Sequence, residues 1–418
     1  MAQPEFGRRL RRARLDAGLS QLELAGDAYT NSYVSYLESG RRAPTHEVAE
    51  YLAARLGLTP AALGFTNGEA TDLDARITHE LLMGDKAIGR HEWAAALAAA
   101  GRAARLAEQL PRADRRWEAG HLRCRTLLES GDFEAAGELA HELALDPVAA
   151  LSPLLSAEAL TLAARALRGS GRLVDAAAAA EAALTAPGID DTLEVEGLLQ
   201  LVAARAELGE DPRGLEPLVD RLAALGERLE AGHTRGRVMW TIGNVAHLRG
   251  DTAAGEAAHA RAATMIHAPV DLALFGRLHR VIGHYRLRSG STEGVADELA
   301  IARQASELVG RQSDLVELSV EQARLHHLEG RDVLALGLLA EALASDVMAI
   351  PFVGRAEACQ LQGDVLRTLG RDREARGAYR QAARDFEEMN ALPRALAAWR
   401  LAAEEPAAEP RENMSNPS

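Results

Sequence analysis

The stretch Ala323-Arg-Leu-His-His-Leu-Glu-Gly330-Arg-Asp-Val-Leu-Ala335-Leu-Gly-Leu-Leu-Ala-Glu-Ala342 carries the pattern that decides the fold. Apolar residues at helical spacing stand on both sides of Gly330, which reads as two amphipathic helices joined by a short turn. A small residue lies seven positions before that glycine (Ala323), five after it (Ala335) and twelve after it (Ala342). The arrangement recurs along the chain. Turn glycines fall at Gly89, Gly131, Gly171, Gly209, Gly250, Gly290, Gly330 and Gly370, in steps of 42, 40, 38, 41, 40, 40 and 40 residues. Cys124, Ala164, Gly243, Gly283 and Gly363 hold the position before the turn, and Ala94, Ala136, Ala176, Gly255 and Ala375 the first position after it. Ala183, Ala262, Ala302 and Ala382 repeat the second. Small residues at these offsets let antiparallel helices approach closely. One such pair cannot bury its own apolar face, so neighbouring pairs must stack into a superhelix with a concave surface. The unit around Gly209, interrupted by Pro212 and Pro217, fits the pattern least well.

This spacing resembles the tetratricopeptide repeat, with helices lengthened from about 34 to about 40 residues per unit, and the resemblance covers about 330 residues. Composition agrees. A chain of 418 residues is too long for one ordinary core unless an array takes up the excess. The 4 Trp, 6 Tyr and 6 Phe are few for a strand-rich fold, whereas Ala, Leu, Arg and Glu favour helix. The single lysine, Lys86, among many arginines fits a GC-rich bacterial genome. The Pro/Glu/Asn/Ser-rich end, 404–418, shows no apolar periodicity and is expected to be disordered.

Residues 1–65 have a different pattern. Phe6, Leu10 and Ala13 mark the buried side of a first helix. Ser20 with Glu23 forms a capping box for a second, and Gly40 stops a third begun near Asn31. Thr45 caps a fourth, with Val48, Leu52 and Leu56 on its apolar face, and Thr59-Pro60 opens a fifth. The segment Gly18-Leu-Ser-Gln-Leu-Glu-Leu-Ala25, followed by Asn31-Ser-Tyr-Val-Ser-Tyr-Leu-Glu-Ser-Gly-Arg-Arg-Ala-Pro44, is similar to a Cro/cI-type (XRE family) helix-turn-helix. The resemblance places Leu22, Ala25, Val34 and Leu37 in the core. It implies DNA contact by Gln21, by Thr30, Asn31, Ser32, Tyr33 and Tyr36 of a recognition helix, and by Arg41 and Arg42 on phosphates. Short polar side chains at a helix start suit base edges in a major groove, and nearby arginines suit phosphates. The turn departs from the usual pattern: it is one residue short, and Gly26-Asp27-Ala28 sets an acid where phosphate is expected. Arg8, Arg9, Arg11, Arg12 and Arg14 read either as DNA contacts or as a solvated face. Residues 1–66 carry 8 Arg against 7 Asp/Glu, whereas the whole chain has a net charge of −14. An acidic body with a locally basic head repels DNA except at one place.

The expected architecture is all-α: a five-helix helix-turn-helix domain (1–65), a polar linker (66–72), and a right-handed α-solenoid of about eight tetratricopeptide-like helix pairs (73–403). By the repeat resemblance, one face of each pair's first helix lines the groove. Six residues before the turns stand Arg125, Arg165, Asn244, His284, Arg324 and Asp364; ten before stand His121, Thr161, Trp240, Arg280, Val320 and Gln360. Trp240, Asn244, Arg280, His284, Arg324, Gln360 and Asp364 form the expected ligand groove. Asn244 suits a peptide bond, Arg280 and Arg324 a carboxylate, and Trp240 an apolar anchor. The competing reading is a groove lined by internal salt bridges.

Two cysteines far apart support neither a disulfide framework nor a cysteine zinc site. His279, His284, His326 and His327 lack the spacing of a metal motif and read as surface residues, so no metal and no cofactor is expected. No phosphate-binding loop, nucleophile elbow or Cys/His pair with a base points to catalysis, and no enzyme is expected. The charged start is unlike a signal peptide, and no long apolar run suits a membrane, so a cytoplasmic protein is expected. An XRE head on tetratricopeptide repeats resembles the peptide-responsive regulators of the RRNPP group. That implies a homodimeric transcription factor on double-stranded DNA, at an inverted-repeat operator, with a peptide or protein ligand in the repeats. The alternative is an adaptor that sequesters an enzyme or sigma-type factor.

Overall fold

Capping and helix phase explain the N-terminal elements. The computed structural model describes residues 4–65, 68–230 and 232–404. Helix α1 (Pro4–Asp16) leads to α2 (Gln21–Ala25), α3 (Asn31–Glu38) and α4 (His46–Arg55). The capping box at α2 is formed in both directions, Glu23 N to Ser20 Oγ at 3.1 Å and Ser20 N to Glu23 Oε2 at 2.7 Å. Thr30 and Thr45 cap α3 and α4 by accepting from Tyr33 N and Val48 N. Phe6, Leu10, Leu24, Ala25, Val34, Leu37, Val48 and Leu52 form one core.

Two expectations change here. Leu22 is 65% exposed and Leu24 fills the core place assigned to it, because the capping box fixes the phase of α2. Thr59-Pro60 opens only a run of turns, closed by bonds such as Gly64 N to Ala61 O and Phe65 N to Pro60 O. The segment expected as a linker is helical from Gly68, since α5 spans Gly68–Gly89. The chain divides into two compact units. One contains the head up to Glu80 together with Arg105–Arg112; the other contains Leu81–Ala104 and the chain from Ala113.

The second unit is a stack of helix pairs. After α5 come α6 (Trp93–Ala107), α7 (Ala113–Ser130), α8 (Phe133–Leu145) and the short α9 (Pro147–Ala150). Then follow α10 (Pro153–Gly169), α11 (Leu173–Leu184), α12 (Asp191–Leu208), α13 (Glu216–Arg228), α14 (His233–Leu248) and α15 (Thr252–Ala263). The array continues with α16 (Leu272–Arg288), α17 (Val295–Val309), α18 (Gln312–Leu328), α19 (Asp332–Leu343), α20 (Val353–Thr368) and α21 (Asp372–Glu388), and ends on α22 (Leu392–Ala403). The irregular unit at Gly209 is explained by Pro212, which starts a 3-10 turn (Pro212–Leu215) before α13.

The small-residue registers are the contact surfaces. Cys124, Ala136, Ala164, Ala176, Ala183, Ala323, Ala335, Ala375 and Ala382 are buried. Glycine stands where a ring leans in: a Cβ on Gly363 would lie 2.4 Å from the Tyr379 ring. The first repeat is in a different frame from the one read around Gly89. The left-handed turn residue is His91 (φ 60°), not Gly89. Ala96 and Ala103 are buried at five and twelve residues beyond it, whereas Ala94 is exposed. Counted from His91, the step to Gly131 is 40 residues, like its neighbours.

The superhelix closes on itself within this unit. Gly131 lies against Arg311, Gly171 against Pro351, and Gly209 against Arg394, three meetings separated by roughly 180 residues, or about four and a half repeats. Gly171 is required there: its φ is +77°, and a Cβ would stand 2.5 Å from the Pro351 carbonyl oxygen. Leu173 packs in one cluster with Ala382, Phe386 and Met389. The concave groove expected from the repeats is therefore drawn into a chamber of about 1360 Å³.

Candidate nucleic-acid interface and ligand chamber

The head's recognition edge rests on a buried ion pair. Arg14, 8% exposed, donates to both carboxylate oxygens of Glu38 (2.6 and 3.0 Å) and to the Leu19 carbonyl (2.8 Å). The bond from Glu38 raises the Arg14 pKa and keeps it charged. Gln21 donates to the same Glu38 at 2.7 Å, so this residue, expected at the DNA, is also tied into the support beneath α3. The short turn before α3 is held from α4. Tyr51 Oη donates to the Ala25 carbonyl at 3.2 Å, and Arg55 donates to the Glu23 carbonyl at 2.8 Å. Gly26 adopts φ +58° with the Tyr51 hydroxyl only 2.4 Å from where a Cβ would sit, so no other residue fits the turn without strain.

That scaffold presents α3. Thr30, Asn31, Ser32 and Tyr36 are exposed, as are Arg41 and Arg42 beyond its end. Tyr33 is half-buried, stacked on Tyr29 at 5.4 Å with the Arg42 guanidinium over its ring at 4.9 Å. Thr30 uses its hydroxyl as the cap. Of the five arginines of α1, Arg14 is internal, Arg9 pairs with Glu5, and Arg12 lies 4.0 Å from Asp16. Arg8 and Arg11 are exposed.

In the second unit the chamber is lined mainly by the first helix of successive pairs. Trp240, Asn244, Arg280 and His284 face it, whereas Arg324, Gln360 and Asp364 line a smaller cavity of about 310 Å³. Arg288 and Glu357 border both. Most of the expected ligand residues already have internal partners. Arg280 meets Glu317 at 2.6 Å and His284 meets Glu321 at 2.9 Å, while Arg324 reaches the second oxygen of Glu321 at 3.3 Å. Asp364 accepts from the Tyr379 hydroxyl at 2.7 Å. Asn244 bonds His259 at 2.9 Å, and burial together with His247 pushes the His259 pKa down to about 4. Trp240 Nε1 and Arg280 Nε are buried with no partner among the described residues.

The histidines read as surface residues are half-buried, and three are paired: His279 with Glu298, His284 with Glu321 and His327 with Asp332, while His326 lies 3.8 Å from Glu329 without a hydrogen bond among the described residues. Reading single registers also missed part of the lining. Arg237 and Arg277 lie thirteen residues before their turns, one helical turn further along the face that carries Trp240 and Arg280. Extending the face from i and i+4 to i−3 finds them. Arg311 had no such signal, because it stands before the first turn of α18.

Comparison with known proteins adds to this geometry. Residues 5–63 match a helix-turn-helix domain family, so the head is a helix-turn-helix DNA-binding domain. No curated protein matches the chain in sequence. A Rap protein solved in complex with competence and sporulation factor is similar at 12% identity, over 75% of this chain and 98% of that one, with a TM-score of 0.53. The two share a helical-repeat fold. The Rap conjugation gene regulator of plasmid pLS20, solved with the Phr* peptide, has 12% identity over 96% of both chains and a TM-score of 0.42. PlcR of Bacillus thuringiensis, solved with the peptide PapR7 and DNA, has 12% identity over 76% of this chain and 99% of that one, with a TM-score of 0.32. Among the described residues no helix is long and apolar enough to cross a membrane.

Proposed function

We propose that the protein is a sequence-specific transcriptional regulator whose repeat chamber takes a peptide or protein ligand and thereby sets the spacing of two paired heads. The carrying observation is the exposed edge of α3, with Asn31, Ser32 and Tyr36 free beside Arg41 and Arg42, on a helix-turn-helix scaffold braced by a buried ion pair. One head buries roughly 600–1,000 Å² on DNA, too little for tight specific binding, so two heads act on an inverted repeat about one helical turn apart. The chamber supports the sensing role through its size and through polar atoms left unpaired on its wall. A ligand shifts the head spacing only by binding one curvature of the superhelix better than another.

The test is DNA capture from a fragmented GC-rich bacterial genome, followed by gel shift on the captured site at two salt concentrations. One reproducible inverted repeat is expected, with affinity falling as salt rises. Asn31→Ala relaxes sequence preference at one position, costing about 1–3 kcal/mol there. Arg42→Ala weakens every sequence alike and lowers the salt slope by about 1. Random fragments captured along with a tight protein partner overturn the reading in favour of an adaptor, and absence of salt dependence counts against phosphate contact.

A further inference from the structure

Where the superhelix closes, the turn from α7 into α8, which carries Asp132 and Glu134, meets the start of α18, and two buried guanidinium edges there lack acceptors among the described residues. Arg311 is 6% exposed, yet its Nη1 has no hydrogen-bond partner among the described residues. Its Nε donates to Ser313 Oγ at 2.8 Å, its guanidinium lies over the Phe133 ring at 5.4 Å, and the nearest oxygen of Asp314 is 4.0 Å away. Arg277 shares that Asp314, with its Nε 3.1 Å from both oxygens, and its Nη2 is likewise buried and unpartnered. Arg165 takes Glu129 at 2.7 Å, and Glu317, the next acid, is held by Arg280. Three guanidiniums thus share two carboxylates. Burial and the Arg277 charge push Arg311 down to about 10, whereas against burial Asp314, Glu129 and Glu317 hold Arg277 up. Against burial, Arg165, Arg277 and Arg311 hold Glu129 down to about 2. No side chain caps the first turn of α18 beside them. Buried charged donors without acceptors are rare and costly, and a carboxylate is the group that two guanidinium edges match.

We propose that Arg277 and Arg311 form a carboxylate-binding subsite on the chamber wall, which takes an acidic side chain or free C-terminus of the ligand and clasps the seam. The inference rests on the reading of the chamber as a ligand site and specifies the chemistry it selects. Two arginines from α16 and the entry to α18, opposite a turn of the α7/α8 pair, couple the occupied site to closure. A bound carboxylate supplies the acceptors that the Arg277 and Arg311 edges lack.

The test uses the full chain and sodium succinate, with sodium chloride at matched ionic strength and inorganic phosphate as controls. Hydrogen exchange is read on peptides covering 128–136 and 309–318. Succinate is expected to slow exchange in both segments and to raise the melting temperature. Arg311→Gln is expected to weaken the succinate effect at least tenfold, while Arg311→Lys, which keeps the charge, retains part of it. If Arg311→Gln does not fold, Arg277→Gln is read in its place. Succinate no better than chloride overturns the proposal, as does protection by phosphate alone. A second arm passes a heptapeptide pool over immobilised protein, with free and with amidated C-termini, and with and without Asp and Glu. Equal retention of all pools with succinate silent sinks the subsite and leaves the peptide reading standing. Succinate protection with no retained peptide keeps the subsite and sinks the peptide reading.

Discussion

The head and the solenoid place their charged side chains differently. The head has a core of large residues, with Phe6, Leu10, Leu24, Leu37 and Leu52 fully buried, and one ion pair inside it. It leaves a polar edge outside. The solenoid packs its helices on registers of alanine and glycine around larger clusters such as Leu198, Leu222, Val238 and Leu278, and of its ionic pairs Arg165–Glu129, Arg277–Asp314, Arg280–Glu317 and His284–Glu321 lie on the inner wall and link neighbouring pairs. A rigid reader of a fixed surface needs a core that locks one helix in place. The difference teaches that a small core holds its buried charge beneath one helix, α3, whereas a repeat array gathers paired charges around its chamber.

The strongest way to break the comparison is at Glu38. Glu38→Ala leaves Arg14 buried and unpaired and removes the partner of Gln21. The cost is about 3–5 kcal/mol. All four tryptophans, Trp93, Trp117, Trp240 and Trp399, lie outside the head, so hydrogen exchange in residues 5–55 falls in protection while the tryptophan melting curve stays where it was. A shift of the tryptophan curve instead contradicts the separation drawn here.

Acid is the next largest perturbation, and it acts on the solenoid. His259 is held down to about 4, from 6.5, first by burial and then by His247. The unfolded chain takes up the proton near pH 6.5 and the folded chain does not. Stability is therefore full above pH 6.5 and is lost as pH falls toward 4, by about 3 kcal/mol in all. Glu129 and Glu321, both held near 2 by their cationic partners against burial, act in a lower window, below pH 4.5. Tryptophan-detected urea unfolding between pH 7 and 4.5 reports His259 together with His247, whose pKa burial also lowers, and Glu207, whose pKa burial raises, and His259→Gln reduces the slope. An unchanged slope in that variant assigns the effect elsewhere.

The smallest effect, at Leu22, sharpens the account of the head core. Leu24→Ala costs about 2–5 kcal/mol, whereas Leu22→Ala at its exposed site stays within about 0.5 kcal/mol. Equal losses in urea unfolding followed by hydrogen exchange contradict the phase assigned to α2.

Legibility followed the range of the interaction. The capping boxes, the alanine registers and the exposed residues of α3 are set within one or two helical turns, and sequence spacing shows them directly. Leu22 failed because two leucines compete for one core place, and only the packed helix phase selects Leu24. Gly89 failed because His91 can adopt the left-handed turn when its neighbours hold it there. Gln21 and Asn244 were read by the chemistry of their side chains; their partners Glu38 and His259 are supplied by other helices.

By itself the sequence determined a helix-turn-helix head followed by a stack of about forty-residue hairpins, because periodicity and capping are local and repeat. Tertiary structure alone decided that the stack closes after about four and a half repeats, that the groove becomes a chamber, and that Arg311 reaches its wall. Small rotations at each pair add up over roughly 180 residues. No spacing rule carries that sum, so the contacts at the seam exist only once the whole superhelix has formed.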